Sequence, residues 1–260
     1  RGLAVTKTSR TAVVTGSASG MGSALCDRLS RHGARVIGVD RRDADILADL
    51  GTGGGRRSAI EAVLDVTGGR LDCLVTCAGL GPHEEPTEIA KVNYFGTVVL
   101  LDGIVGALGR GDSPAAVVFA SNAASLTPRN AGLLRALEEG DEDGAVLLAA
   151  SLDGTTVYGM TKLALVKAMR RRVREWGETG VRLNAVAPGP IDTPMLDGIL
   201  ADSFVGPMVE ALPVPLGRIG TPDEVASAVE FLLDPTNAFV HGSVLFVDGG
   251  SDAELRPEAI

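Results

Sequence analysis

Tyr158 and Lys162 lie four residues apart, a spacing that sets a phenol and an ammonium on the same face of a helix. A phenol of ordinary pKa, about 10, is a poor base at neutral pH, but a fixed cation within a few ångströms stabilises the phenolate and draws its pKa toward the working range. Tyr158 is therefore a candidate proton-transfer group with Lys162 as its tuner. On its own a Tyr-x-x-x-Lys pair is more often a surface helix pair, so its weight depends on what else the chain places around it.

A second constellation is Thr15-Gly16-Ser17-Ala18-Ser19-Gly20-Met21-Gly22. It follows an apolar run and opens a helical pattern. Glycines there let the backbone approach a pyrophosphate, and the helix N-terminus supplies N–H donors and partial positive charge. Gly16, Ser19, Gly20 and Met21 are the candidate contacts, although three residues between Gly16 and Gly20 depart from the commoner G-x-G-x-x-G spacing. Asp40 ends the next apolar run about 20 residues further on, where a carboxylate can accept from both adenosine ribose hydroxyls and would repel a 2′-phosphate. NAD is favoured over NADP. Arg41 and Arg42 follow at once and could neutralise a phosphate; the plainer reading makes all three a solvated loop.

These groups need a scaffold that gathers them. Short β-branched runs at 11–15, 35–39, 71–76, 115–120, 181–187 and 243–247 read as strands, with a short one at 46–48. Candidate helices fall near 21–32, 56–66, 91–108, 155–176 and 222–233. Several strands are continuously apolar, as strands covered on both faces are, so the alternation predicts an α/β fold with a parallel sheet and helices on either side. Thr221, Pro222, Asp223 and Glu224 carry the signals of a capped helix start. Residues 51–55 read as a glycine-rich turn.

Composition bounds the partners. The 260 residues are 45% hydrophobic and carry 33 acidic against 24 basic side chains, a formal charge of -9. No basic tract could track phosphates, which argues against nucleic acid. No uninterrupted apolar run approaches the roughly 20 residues of a membrane helix, and residues 1–9 lack a secretory core. A cytoplasmic protein with no membrane partner is expected, with residues missing before Arg1. Cys26, Cys73 and Cys77 are too few and too scattered for a disulfide framework or a metal site, so reduced structural thiols and no metal are expected.

The ordered set Gly16, Gly20 and Gly22, then Cys77-Ala78-Gly79, Asn93, Ser121, Tyr158 with Lys162, and Pro188-Gly189-Pro190-Ile191-Asp192-Thr193 resembles the short-chain dehydrogenase/reductase family from Thr11 to Gly250. The stretches Cys77 to Pro82 and Val92 to Gly96 look closest to its bacterial 3α-hydroxysteroid dehydrogenase/carbonyl reductase group. The resemblance implies a single Rossmann-type doubly wound domain over residues 1–260. It implies that Tyr158 is the general acid/base, that Lys162 lowers its pKa and binds the nicotinamide ribose, and that Ser121 hydrogen-bonds the substrate oxygen. Asn93 would kink its helix and hold a water between Lys162 and solvent; a helix-surface amide is the plainer alternative. Asp49 and Leu50 would flank the adenine, Cys77, Ala78 and Gly79 the cofactor, and Pro188, Gly189, Ile191 and Thr193 the nicotinamide. Two departures stand out. The family usually has Ser-Ser where this chain has Ala120-Ser121-Asn122, with Ser125 as the alternative hydroxyl, and Cys77 replaces the usual Asn.

The implied activity is NAD(H)-dependent interconversion of a secondary alcohol and a ketone, on a hydroxysteroid or another hydrophobic carbonyl substrate. An aromatic-alcohol dehydrogenase is the alternative within the enzyme class; a non-catalytic NAD(H)-binding sensor and a scaffold protein lie outside it. Residues 195–212 are rich in Met, Leu, Ile, Val and Phe and would form an apolar lid, or simply an amphipathic packing helix. Residues 126–152 break the βα rhythm and read as a helical insertion before the Tyr158 helix. It is expected to border the substrate pocket and to obstruct one helix-to-helix subunit contact, leaving a homodimer through 222–233 and 243–247, with a tetramer the alternative. His83 reads as a pocket-rim residue and His241 as an interface residue.

Overall fold

A computed structural model describes residues 9–259; the expectations about residues 1–8 lie outside the described residues. Seven parallel strands form one sheet in the order β3-β2-β1-β4-β5-β6-β7. They are β1 (Thr11–Thr15), β2 (Arg35–Asp40), β3 (Ile46–Leu47), β4 (Cys73–Thr76), β5 (Ala115–Phe119), β6 (Arg182–Pro188) and β7 (Val244–Val247). Alternate side chains feed two cores, as the two-residue period of a strand requires. Val13, Leu74, Ala116, Val118 and Ala185 face one core, and Ala12, Val14, Val75, Val117 and Val186 face the other. This is why these strands read as continuous apolar runs.

Helix α1 (Gly20–Arg31) follows β1, and α2 (Gly53–Val66) follows β3. Residues 53–55 are the first turn of α2, not a turn between elements: Thr52 caps the helix, its side chain accepting from Gly55 N at 3.0 Å. A favourable N-cap outweighs the weak helix propensity of three glycines. After β4 a long helix runs over residues 86–108, five residues earlier than the pattern at 91–108 predicts, because Pro86 starts it. It comprises α3 (Pro86–Ile89), a π-helical segment (Ala90–Phe95) and α4 (Gly96–Leu108). By length and composition it is apolar enough to cross a membrane, yet 61% of that apolar window is buried inside the protein, as befits a core helix.

Beyond β5 come α5 (Ala123–Leu126), α6 (Ala131–Glu139), α7 (Glu142–Ala149) and the 25-residue α8 (Gly154–Glu178). The insertion is thus helical. Leu133, Leu137, Ala145 and Ala149 join the core on the α4 and α8 side of the sheet, and α6 packs on α8. After β6 lie α9 (Pro194–Ala201), α10 (Val205–Glu210) and α11 (Pro222–Leu233), and after β7 a final α12 (Ser251–Leu255). Thr221 and Glu224 form a reciprocal capping box at the start of α11.

His241, read from the sequence as an interface residue, has both ring nitrogens bonded within the chain. Its Nδ1 accepts from Leu183 N at 2.9 Å and its Nε2 donates to the Val173 carbonyl at 2.8 Å, so it ties β6 to α8 within the chain.

Candidate active site

The C-terminal ends of β1, β4, β5 and β6 open onto two adjoining cavities, in the crevice where doubly wound sheets place ligands. One, of about 490 Å³, is lined by the glycine turn, Asp40, Arg41, Arg42, Asp49 and Leu50. The other, of about 460 Å³, is lined by Ser121, Tyr158, Lys162 and the apolar faces of α9 and α10. Met21, Cys77, Gly79, Leu80, Thr193 and Met195 belong to both.

The first cavity fits a dinucleotide. Gly16 has φ +71, and a Cβ on it would stand 2.8 Å from the Ala78 backbone, so this turn requires glycine. Ser19 is the N-cap of α1 but makes no side-chain capping bond, in contrast to the caps of α2, α8, α9 and α11. The N-terminal N–H groups of α1 are thereby left to an anion. At the far end, Asp40 accepts from Ala18 N (3.1 Å) and Arg41 N (2.6 Å), which fixes its carboxylate at the tip of β2. Asp49 and Leu50 form the opposite wall. Cys77 stands where the cavities meet, its thiol pushed up to about 12 by burial, so it is a neutral wall residue.

In the second cavity α8 presents Tyr158 and Lys162 from one face. The Lys162 side chain is buried, and its Nζ donates to the Phe119 carbonyl at 2.9 Å and sits 5.6 Å from the Tyr158 ring centre. Burial pushes the lysine down to about 8. The resemblance implies a phenol lowered by Lys162; in the structure burial pushes Tyr158 up, and the contribution that pulls it down is a hydrogen bond from Ser121. Ser121 lies just past β5, within reach of Asn122 Oδ1 and Ala123 N. Ser125 points elsewhere, bonding the Asn122 carbonyl and Asp252.

Asn93 lies in the π-helical segment and is fully buried, which excludes the surface-amide alternative. Its side chain exchanges two hydrogen bonds with the backbone of Leu80. The segment after β4 is thereby drawn close: a Cβ on Gly79 would stand 3.2 Å from Asn93 Oδ1 and 3.6 Å from Lys162 Nζ. Pro188 at the end of β6 and Gly189 and Ile191 beyond it line the second cavity, and Thr193 caps α9, accepting from Leu196 N at 3.3 Å.

The insertion borders the substrate-side cavity through its first residues, Leu126, Thr127 and Pro128, with Asp153 just past its end, whereas helices α6 and α7 line neither cavity. The segment 195–212 is two short helices rather than one, with Met195, Leu196, Ile199, Phe204, Val205 and Met208 on the cavity wall. His83 packs between Gly81 and Gly198 beneath α9 and lines neither cavity.

Sequence reasoning missed Asn122, whose buried amide nitrogen has no partner and which lines the Tyr158 cavity. Its adjacency to Ser121 was the available signal. Among the described residues no group of His, Cys, Asp or Glu could hold a metal, and the three cysteines are free.

Residues 10–136 match the family model described as short chain dehydrogenase, and residues 115–252 the one described as enoyl-(acyl carrier protein) reductase. The chain is 42% identical to the 3-alpha-hydroxysteroid dehydrogenase/carbonyl reductase of Comamonas testosteroni, over 94% of this chain and 97% of the relative. It is 30% identical to the cis-4-hydroxycyclohexanecarboxylate dehydrogenase of Sinomonas cyclohexanicum, over 94% and 97%. Among solved structures, the 3-alpha-hydroxysteroid dehydrogenase from Pseudomonas sp. B-0831 complexed with NADH superposes with a TM-score of 0.92 at 46% identity, covering 96% of this chain and all of that one.

Proposed function

This chain belongs to the short-chain dehydrogenase/reductase family, and from that premise we propose that it is an NAD(H)-dependent oxidoreductase interconverting a secondary alcohol and a ketone. The observation that carries the reading is the junction of the two cavities. The glycine turn and Asp40 face one and the Ser121–Tyr158 pair faces the other, with Lys162 buried behind them.

When bound, the nicotinamide supplies or accepts a hydride at the substrate carbon. Proton handling falls to this chain. Tyr158 Oη removes the hydroxyl proton in oxidation and returns it in reduction. Ser121 donates to the substrate oxygen and stabilises charge developing there. Lys162, oriented by the Phe119 carbonyl, holds positive charge beside the phenol and anchors the cofactor ribose. Asn93 fixes Leu80 and, with it, the wall shared by both cavities. Asp40 receives the adenosine ribose and disfavours a 2′-phosphate.

The substrate is a hydrophobic alcohol or ketone. The 460 Å³ cavity with its Met, Leu, Ile and Phe wall supports a flat apolar ring system, as does the kinship with a 3-alpha-hydroxysteroid dehydrogenase/carbonyl reductase. We place the enzyme in a reducing cytoplasm on its three free cysteines and as a homodimer through α11 and β7, where Phe231, Phe239 and Phe246 are exposed. The test is NADH formation across 3α-, 17β- and 20β-hydroxysteroids, aromatic alcohols and polyols, with Tyr158→Phe as control. Turnover should vanish in the variant while NADH binding persists; near-wild-type turnover would refute the assignment.

A further inference from the structure

The insertion reaches the cofactor cavity by another route. Arg56, in the first turns of α2, is buried with only 3% of its surface exposed. Its Nε donates to the Leu50 carbonyl at 2.9 Å and its Nη2 to the Gly51 carbonyl at 3.2 Å. The outer edge of the guanidinium is met by both carboxylate oxygens of Glu142, with Nη1 to Oε2 at 2.8 Å. The ring of Phe95, from the π-helical segment, lies 5.9 Å from the guanidinium carbon. Glu142 is the first residue of α7, whose cap Asp141 accepts from Gly144 N at 3.0 Å, and a carboxylate at that end is favoured by the helix dipole.

A buried guanidinium persists only when it is paired and hydrogen-bonded. Glu142 is what lets Arg56 stay inside, and Arg56 is what holds the two carbonyls. Leu50 in turn packs on Gly96 and lines the wall of the 490 Å³ cavity next to Asp49. We propose that the insertion acts through the Glu142–Arg56 pair as a brace that positions the Asp49–Gly51 turn against the adenine end of the cofactor. What the insertion tunes is then dinucleotide affinity. Neither residue touches the cavity around Tyr158 and Ser121. Both are positioning residues, and the proposal rests on the reading of this cavity as the NAD(H) site.

The experiment titrates NADH by fluorescence into the full-length protein and its variants, with steady-state kinetics and thermal unfolding alongside. Glu142→Ala should raise the NADH dissociation constant and the KM for NAD by about three- to thirtyfold. kcat at saturating NAD and the KM for the alcohol should stay within about twofold, since the pair lies outside the reacting groups. Glu142→Gln, which keeps a neutral acceptor for Arg56, should fall between wild type and Glu142→Ala. Should Glu142→Ala fail to fold, the double variant Arg56→Met/Glu142→Leu fills the space without an unpaired charge and should show the same selective loss of NADH affinity. Unchanged NADH binding in a folded variant overturns the brace. So does a loss of kcat and affinity in parallel with thermal stability, the signature of a merely structural pair. A wild-type protein that binds no NADH overturns the underlying reading along with it, whereas wild-type binding with unaffected variants overturns the brace alone.

Discussion

Asn93 and Leu80 are joined by a reciprocal pair of hydrogen bonds: Asn93 Oδ1 accepts from Leu80 N at 2.7 Å, and Asn93 Nδ2 donates to the Leu80 carbonyl at 3.0 Å. A side-chain amide has both functions at one end, so one residue satisfies both the N–H and the C=O of Leu80, which no strand pairs. The π-helical segment turns Asn93 inward, and Leu80 lies on the wall of both cavities. Asn93→Leu keeps the bulk and leaves the part-buried N–H and C=O of Leu80 without partners. We expect the melting temperature to fall by about 5–10 °C, given roughly 2–4 °C per kcal/mol for a domain of this size. Activity should fall as well, and calorimetry with kinetics checks both.

The pH dependence follows from Lys162 and Tyr158. The reactive form, ammonium with phenolate, holds one proton fewer than the fully protonated pair. The pair loses its first proton near the lysine's value of about 8, because burial disfavours the ammonium. Alcohol oxidation by the free enzyme should therefore rise with pH as a single proton is lost and level off above about 8. Lys162→Arg should lose that step, because a guanidinium does not titrate there. A profile flat from pH 6 to 10 would contradict the pairing.

Stability carries the same signs. Between about 8 and the ordinary lysine value of 10.5 the unfolded chain binds a proton at Lys162 that the folded chain does not, so this group's contribution to stability rises with pH across that window. Tyr158 acts oppositely. Its pKa is raised above 10.0, so the folded state keeps a proton the unfolded state releases, and its contribution falls as pH rises past 10. Denaturant midpoints taken from pH 7 to 11 should rise and then fall.

The two serines are separable. Ser121 lines the cavity with Tyr158 and pulls the phenol's pKa down, whereas Ser125 is committed to Asp252 and the Asn122 carbonyl. Ser121→Ala should lower kcat/KM by about 100- to 1000-fold, the scale of a lost oxyanion donor. Ser125→Ala should cost less than about tenfold, a positioning loss. The reverse ranking would reassign the substrate-binding hydroxyl.

Cofactor choice should turn on Asp40. Asp40→Asn removes the carboxylate that opposes a 2′-phosphate while Arg41 and Arg42 stay on the same wall. The NAD-to-NADP preference in kcat/KM should drop by at least about tenfold, one charge contact's worth of discrimination. An unchanged ratio would move discrimination elsewhere.

Phe239 is fully exposed, and Phe231 and Phe246 are partly so, beside the open β7 edge of the sheet. Phe239→Asp should shift the protein toward monomer in light scattering, since a charge in an apolar contact must be desolvated. A wild-type tetramer packed through α4 and α8 would contradict the dimer.

The sequence by itself determined what depends on local period and local chemistry. Two-residue alternation with apolar residues on both faces specifies a doubly covered parallel sheet, and the capping box at Thr221 fixes where α11 starts. The order of Gly16, Asn93, Ser121, Tyr158 and Lys162 marked the site because those residues sit at strand ends and helix faces whose positions the βα alternation sets. Tertiary structure alone decided what depends on pairs distant in the chain. Glu142 meets Arg56 from 86 positions away, and Ser125 meets Asp252 from 127. His241 spends both ring nitrogens inside the chain. Tyr158 moves up in pKa because burial outweighs the help of Ser121, a balance that depends on how much water the fold excludes. No spacing along the chain encodes such balances, because desolvation and long-range pairing exist only once the sheet has brought the helices together.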